Sequence, residues 1–359
     1  MRMSALLHIV DSQGPAASRW LAQVAREHVG GAVVVSLGHA CESAPHPKAN
    51  FAIPFSGGSI ALAGQALQRL SESLHTRAIV AWGSRASAVA IHARDAAERW
   101  LVLDTVPSVH SIPFDAQVIC LSDAVADRAG AAGWPPMRMR VIQPPSPCIS
   151  KFDLQGEARA KQRDAWKISA DAFVVGLLPC AKEEGDALAA FHTVGRLRLA
   201  QVQAYLVVDP QTRLAASTNI FARSIGARDA VIFHHVNTTH TAIAPAVDAW
   251  ISMPGNAADG TVLDPAVAAG LGAPLVADAG SLAAMGIEQN VDGFVAPGRN
   301  RIGAVMLSLS RDAALRKEVA AAARVRYAGE TRRQAFAAVF AEIASRVNAM
   351  DSKAVAASK

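Results

Sequence analysis

VDAWISMPGNAADGTVLDPAVAAGLGAPLVADAGSLAAMGIEQNVDGFVAPGRN, residues 247–300, holds two short apolar runs, AWISM (249–253) and PLVAD (274–278), with an alanine-rich helical stretch between them. A brief apolar run that stops abruptly, without alternation, fits a strand buried on both faces, as in a parallel sheet. The same unit recurs upstream. FVVGLL (173–178), AYLVVD (204–209) and AVIFHHV (230–236) precede this stretch, each followed by a helix-like segment. An earlier series runs ALLHIV (5–10), AVVVSL (32–37), AIVAW (78–82), WLVLD (100–104) and VICLS (118–122). Strand and helix in alternation is the βαβ signature of a doubly wound parallel sheet. The fold class is therefore α/β, with two Rossmann-like domains of parallel strands flanked by helices.

Between the two series lies VIQPPSPCISKFD (141–153), where three prolines in four positions remove backbone donors and forbid helix, as in an interdomain connector. The expected layout is an N-terminal domain over 1–150, a second over 151–330, a C-terminal helix over 331–350 that returns to the first domain, and a frayed tail over 351–359. Gly329 marks a break in the long helical stretch that begins near Arg311. Residues 43–60, with three prolines and a Gly-Gly pair, read as a loop.

Composition agrees with two cores, since 51% of the 359 residues are hydrophobic and only 18% charged. No run approaches the roughly 18 to 20 apolar residues that cross a bilayer, and Asp11 comes too early for a secretory signal. These features lead to the expectation of a cytoplasmic protein. The four cysteines, Cys41, Cys120, Cys148 and Cys180, include no C-x-x-C pair, which argues against zinc and against a disulfide framework. A formal charge of +5 permits attraction to anionic lipid or to polyphosphate substrates, but lysine and arginine are scattered and do not interleave with aromatics. Nucleic acid is therefore not expected as a partner. Neither a serine triad order, nor metal-ligand spacing, nor a dehydrogenase Gly-x-Gly-x-x-Gly is present.

Residues 247–300 resemble the donor-binding half of retaining GT-B glycosyltransferases of the family-four type. Pro254 ends a strand, and Asp259-Gly260 stands at the family's first acidic position. Gly272 and Pro274 close the helix, Asp278 and Gly280 make the turn, and Asp292-Gly293 precedes Val295, Pro297 and Gly298. RDAWKISADAFVVGLLPCAKEEGDALAAF (163–191) looks like the family's entry into its second domain, with Gly176 and Leu178 in the outer places of its Gly-Arg-Leu and Lys182 on its lysine. VICLSDAVADRAGAAGWPPMRMRVIQPPSP resembles the end of the family's first domain, with Ser122 after a strand and Gly133 before the last one.

The resemblance implies a metal-independent enzyme with no cofactor beyond its nucleotide-sugar substrate, and a glycan, lipid-linked sugar or small molecule as acceptor. It leaves room for peripheral contact with the inner face of a membrane. Lys182 would stabilise the diphosphate leaving group, and Asp259 would stand near the transferred sugar. Gly176, Asp278, Gly280 and Ser281 would border the nucleotide, their loops offering backbone N–H groups. His235, beside His234, would meet the base. Asp264 would reach the ribose, although with Pro265 it also forms a good helix N-cap. Two charged family positions are lost: Leu177 replaces the arginine and Val267 the second glutamate. Arg223, Arg299 and Arg301 are the cations that would compensate. Of the acceptor-side positions, Gly14 is followed by Pro-Ala-Ala, Thr105 stands where the family has a histidine, and His110 follows in a loop. The losses leave open a non-catalytic GT-B protein that binds a sugar, nucleotide or partner chain; a GT-B epimerase is the third reading.

Overall fold

The structure of the chain, a computed structural model, describes residues 6–11, 33–38, 51–55, 59–93, 97–104, 116–146, 156–178, 184–210, 213–234, 243–253, 268–278 and 287–357. It divides into two compact units, Met1–Pro144 with Arg333–Lys359, and Pro145–Arg332. Among the described residues no helix is long and apolar enough to cross a membrane.

The first unit is built on seven strands: β1 (Leu6–Asp11), β2 (Val33–Leu37), β3 (Phe51–Ile53), β4 (Ala78–Trp82), β5 (Glu98–Leu103), β6 (Ala116–Cys120) and β7 (Met139–Val141). Their order is β3-β2-β1-β4-β5-β6-β7, and every pairing is parallel. All residues of β1 and β4 are buried, which explains why neither shows alternation: AIVAW is apolar throughout, and His8 within β1 accepts from the Trp82 indole N–H of β4 at 3.0 Å. Among the described residues its helices before the connector are α1 (Ile60–Ser73), α2 (Ser84–His92) and α3 (Asp123–Ala131). Ser122 is the N-cap of α3, its Oγ accepting from the Val125 N–H at 3.2 Å. Gly133 (φ +85°) ends that helix, where Trp134 N–H donates to the Ala129 carbonyl.

One expectation is corrected here. The stretch 43–60 is not all loop, because Phe51–Ile53 pairs with Val35–Leu37 at the edge of the sheet. Three residues set among prolines are too few to carry a periodic signal.

The second unit carries β8 (Phe173–Leu177), β9 (Ala204–Val208), β10 (Val231–Phe233), β11 (Ala249–Ser252), β12 (Leu275–Asp278) and β13 (Phe294–Ala296). They form a six-stranded parallel sheet in the order β10-β9-β8-β11-β12-β13. Its described helices are α4 (Glu157–Ala165), α5 (Glu184–Leu199), α6 (Arg213–Ser224), α7 (Arg299–Arg311) and α8 (Ala313–Tyr327). Phe173, Val175 and Leu177 of β8 join Leu206, Val208, Ile251, Met253 and Phe294 in one core.

Beneath that core lies a buried ion pair. Arg163 of α4 donates to Asp248 Oδ2 at 2.7 Å and to the carbonyls of Ala170, Ala172 and Ala246 at 2.6, 2.6 and 3.0 Å. Asp248 Oδ2 also accepts from the Val174 N–H at 2.7 Å, so one carboxylate ties α4 to the amino ends of β8 and β11. Burial lowers the Arg163 pKa, Asp248 opposes that shift, and the neighbouring Arg159 and Arg316 add to it.

After α8 the helical path breaks, as Gly329 leads one to expect; a Cβ there would lie 2.5 Å from the Val325 carbonyl oxygen. The last helix, α9 (Glu330–Ala357), continues past Asp351, where the composition suggests a frayed end. It belongs mostly to the first unit. Phe340 stacks on Trp82 with ring centroids 5.1 Å apart, Phe336 lies against both, and Arg140 pairs with Glu342 at 2.8 Å.

Candidate functional site

In an open α/β sheet, ligands bind outside the carboxyl ends of the strands, at the point where successive connections leave in opposite directions. In the second sheet β8 leads toward β9 and β11 leads toward β12, so this switch point falls between β8 and β11. The pairing of the two strands runs Ala249↔Val175, Trp250↔Gly176 and Ile251↔Leu177, and Leu178 N–H donates to the Ile251 carbonyl at 3.0 Å. Ser252, Met253 and Leu178 close this end of the sheet and are buried.

Two of the nucleotide-side residues expected from sequence have described backbones. Gly176 and Asp278 lie on β8 and β12, two strand spacings (about 10 Å) apart across the sheet. Gly176 shares its register with Trp250 and Leu275, so Asp278 stands three residues, again about 10 Å, nearer the carboxyl edge. A Cβ at Gly176 would come 2.3 Å from the Trp250 ring, which gives the absence of a side chain a packing reason. Lys182, His235, Asp259, Asp264, Gly280 and Ser281 lie outside the described residues, as do Val267, Gly14, Thr105 and His110. His234, the neighbour of His235, is half-buried; the Trp166 indole lies edge-on to its ring with centroids 5.6 Å apart.

The residues at the lost charged positions and their substitutes divide clearly. Leu177 is 3% exposed within the core, so its position has become part of the packing. Arg223 sits in the last turn of α6, which runs back from β9 toward the amino ends of the strands. It is therefore removed from the carboxyl edge and corrected as a compensating cation. Arg301 lies in the first turn of α7, just after β13, on the carboxyl side. The N-cap of that helix is Gly298 (φ +146°), with no side chain to cap the first N–H groups.

Other matched motif residues have architectural work. Gly272 (φ +91°) makes the turn into β12, where Pro274 offers its carbonyl to the Trp250 N–H at 2.8 Å. At Gly293 a Cβ would meet Ile287 at 2.7 Å. Asp292 is buried, accepting from the Glu288 N–H at 2.7 Å and from Arg326.

Of the aspartates that end apolar strands, the sequence reading singled out Asp278 and passed over the others. Asp209 follows β9, next to β8, and is 1% exposed; Asp11 and Asp104 take the same place at β1 and β5. The signal was present as a repeated ending, LHIVD, LVLD, LVVD and LVAD. In the first sheet the switch point falls between β1 and β4. Asp11 there pairs with Arg85 at 3.5 Å, and Arg85 lies over the Phe55 ring, 4.9 Å from its centroid. Gly83 (φ +84°) opens α2 at that edge.

Two parallel α/β sheets with these strand orders place the chain in the GT-B fold class. Solved glycosyltransferases of that class superpose over nearly all of it. HepE of Anabaena, solved with UDP and glucose, shows a TM-score of 0.69 at 17% identity and covers 95% of this chain and 99% of its own. WaaG, a glycosyltransferase involved in lipopolysaccharide biosynthesis, shows 0.66 at 15%, covering 94% and 99%. A UDP-N-acetylglucosamine 2-epimerase also matches, at 0.54 and 12%, covering 92% and 93%. No family model matches the sequence, and no curated protein matches it significantly.

Proposed function

We propose that the chain is a glycosyltransferase that takes a sugar from a nucleotide donor bound at the switch point of its second unit. The observation that carries this reading is the adjacency of β8 and β11 at that point. Lys182 follows Leu178 by four residues, and Asp259 follows Met253 by six. Covalent reach thus tethers both to the two strand ends that flank the crevice, within about 14 Å and 21 Å of chain respectively. Lys182 would neutralise the departing diphosphate and Asp259 would address the transferred sugar, with Asp264, Asp278, Gly280, Ser281 and His235 along the nucleotide. The reaction would be retaining and independent of metal. A glycan, a lipid-linked sugar or a small metabolite would accept the sugar, at the inner face of a membrane where the acceptor is lipid-linked. HepE, with UDP and glucose bound on the same fold, supports the donor class.

Burial of Leu177 favours a second reading, a GT-B protein that binds its ligand without turning it over. The two readings separate in one experiment. Thermal shift against nucleotides and nucleotide sugars finds the donor, and transfer is then measured for the parent and Lys182→Ala. Under the first reading the parent transfers sugar, and Lys182→Ala lowers the rate about tenfold or more. An active parent indifferent to Lys182→Ala would remove the phosphate assignment. A parent that binds the nucleotide without transfer would support the second reading.

A further inference from the structure

At the opposite end of the second sheet, below the amino ends of β11 and β12, lies a cavity of about 460 Å³. Arg159, Asp248, Gly272, Arg316, Lys317 and Arg324 line it. Asp248 immediately precedes β11 and Gly272 lies two residues before Pro274, at the entry to β12, so the cavity belongs to the edge away from the switch point.

Its charge is unbalanced. Asp248 is the one carboxylate among the described lining residues, facing four lining cations. That carboxylate is already committed: Oδ1 accepts from Arg159 at 2.7 Å, and Oδ2 accepts from buried Arg163 and from the Val174 N–H. Arg159 donates its other nitrogen to the Pro245 carbonyl at 3.1 Å, and Arg316 rests over the Phe173 ring. The side chains of Lys317 and Arg324 meet no hydrogen-bonding or ionic partner among the described residues. Arg159 and Arg316 both bear electrostatically on Arg163, a crowding of positive charge that an anion would relieve.

The shape follows from α8. Ala313, Lys317, Ala320 and Arg324 are spaced four, three and four residues apart and so share one face. The two alanines leave space, and the two long cations flank it. Guanidinium groups match phosphate oxygens in pairs, and ammonium supplies a further point charge. At about 30 Å³ per water, the volume corresponds to some fifteen waters, enough for a compound of sugar-phosphate size.

We propose that this cavity is a second anion site, taking a small phosphorylated compound with at least two negative charges, separate from any donor crevice. The inference does not rest on the donor reading, since every residue it uses lies at the amino edge.

The test is calorimetric titration of the full chain with sodium pyrophosphate at constant ionic strength. The parent is compared with Lys317→Ala/Arg324→Ala and with Arg69→Ala/Arg128→Ala, which removes the same charge from the first unit. The expected result is saturable binding that weakens about tenfold to a hundredfold in the first variant and is unchanged in the second. Circular dichroism checks that the first variant retains its fold. Equal weakening in both variants, unchanged binding in Lys317→Ala/Arg324→Ala, or a parent that takes up no pyrophosphate at millimolar concentration would each overturn the proposal.

Discussion

At Gly176 the neighbouring Trp250 ring occupies the space a side chain would need, and it is fully buried with nowhere to retreat. Gly176→Ala should therefore cost about 1 to 3 kcal/mol in urea unfolding, with part of the loss recovered by Gly176→Ala/Trp250→Phe. Full stability in the single variant would contradict the close approach. Leu177, the next residue, sets a related limit. An arginine there would bring a guanidinium into a core of Val208, Ile251 and Met253, so Leu177→Arg should destabilise the second unit rather than restore a phosphate contact. The sequence showed the lost charge at 177; only packing shows that the loss is built in. Gly176 carries the same lesson, since family position and steric need select the same residue and sequence alone does not separate them.

Among the elements, α9 couples a stacking surface to an exposed ion pair. Phe340 covers Trp82 and is fully buried, so Phe340→Ala should cost about 3 to 5 kcal/mol, read as a fall in unfolding midpoint. Glu342 lies on the outside of the same helix, where the hydrogen bond from Arg140 holds its carboxyl below the usual carboxylate range. A depressed carboxyl contributes stability above its unfolded pKa, about 4.3, and loses it as pH falls through the folded value. Glu342→Gln should thus be slightly less stable than the parent at neutral pH, with the difference vanishing at more acidic pH. A gap that persists in acid would assign the effect to something other than this charge. The helix itself was legible from alanine, arginine and glutamate content, and Gly329 as its beginning. Its return to the first domain was expected as well, but the contact it makes there was not, because nothing in the spacing of Phe336 and Phe340 names Trp82, some 250 residues earlier.

For the molecule as a whole, the two series of parallel strands were legible from apolar runs, because strands covered on both faces need no polar side, whereas their order in each sheet was not. β3 and β7 escaped that logic: three residues at a sheet edge leave little pattern. The candidate site was legible only as a series of motif positions, whereas the cationic cavity joins residues from 156 to 324 and has no local signature. Removing the chain after Arg332 should act on the first unit and spare the second. Hydrogen exchange should show β4 and β5 losing protection while β8 and β11 keep theirs. Equal loss in both sheets would mean that α9 supports more than the unit it packs on.

That return of the chain also orders events during synthesis. The second unit is one continuous segment and has all its strands and α8 before α9 is made, whereas the first must wait with the Trp82 face uncovered. At about 5 to 20 residues per second, the ribosome takes roughly 10 to 40 s to pass from β7 to α9. During that interval the earlier half of the protein offers an aromatic surface to chaperones, and the later half reaches its native state first.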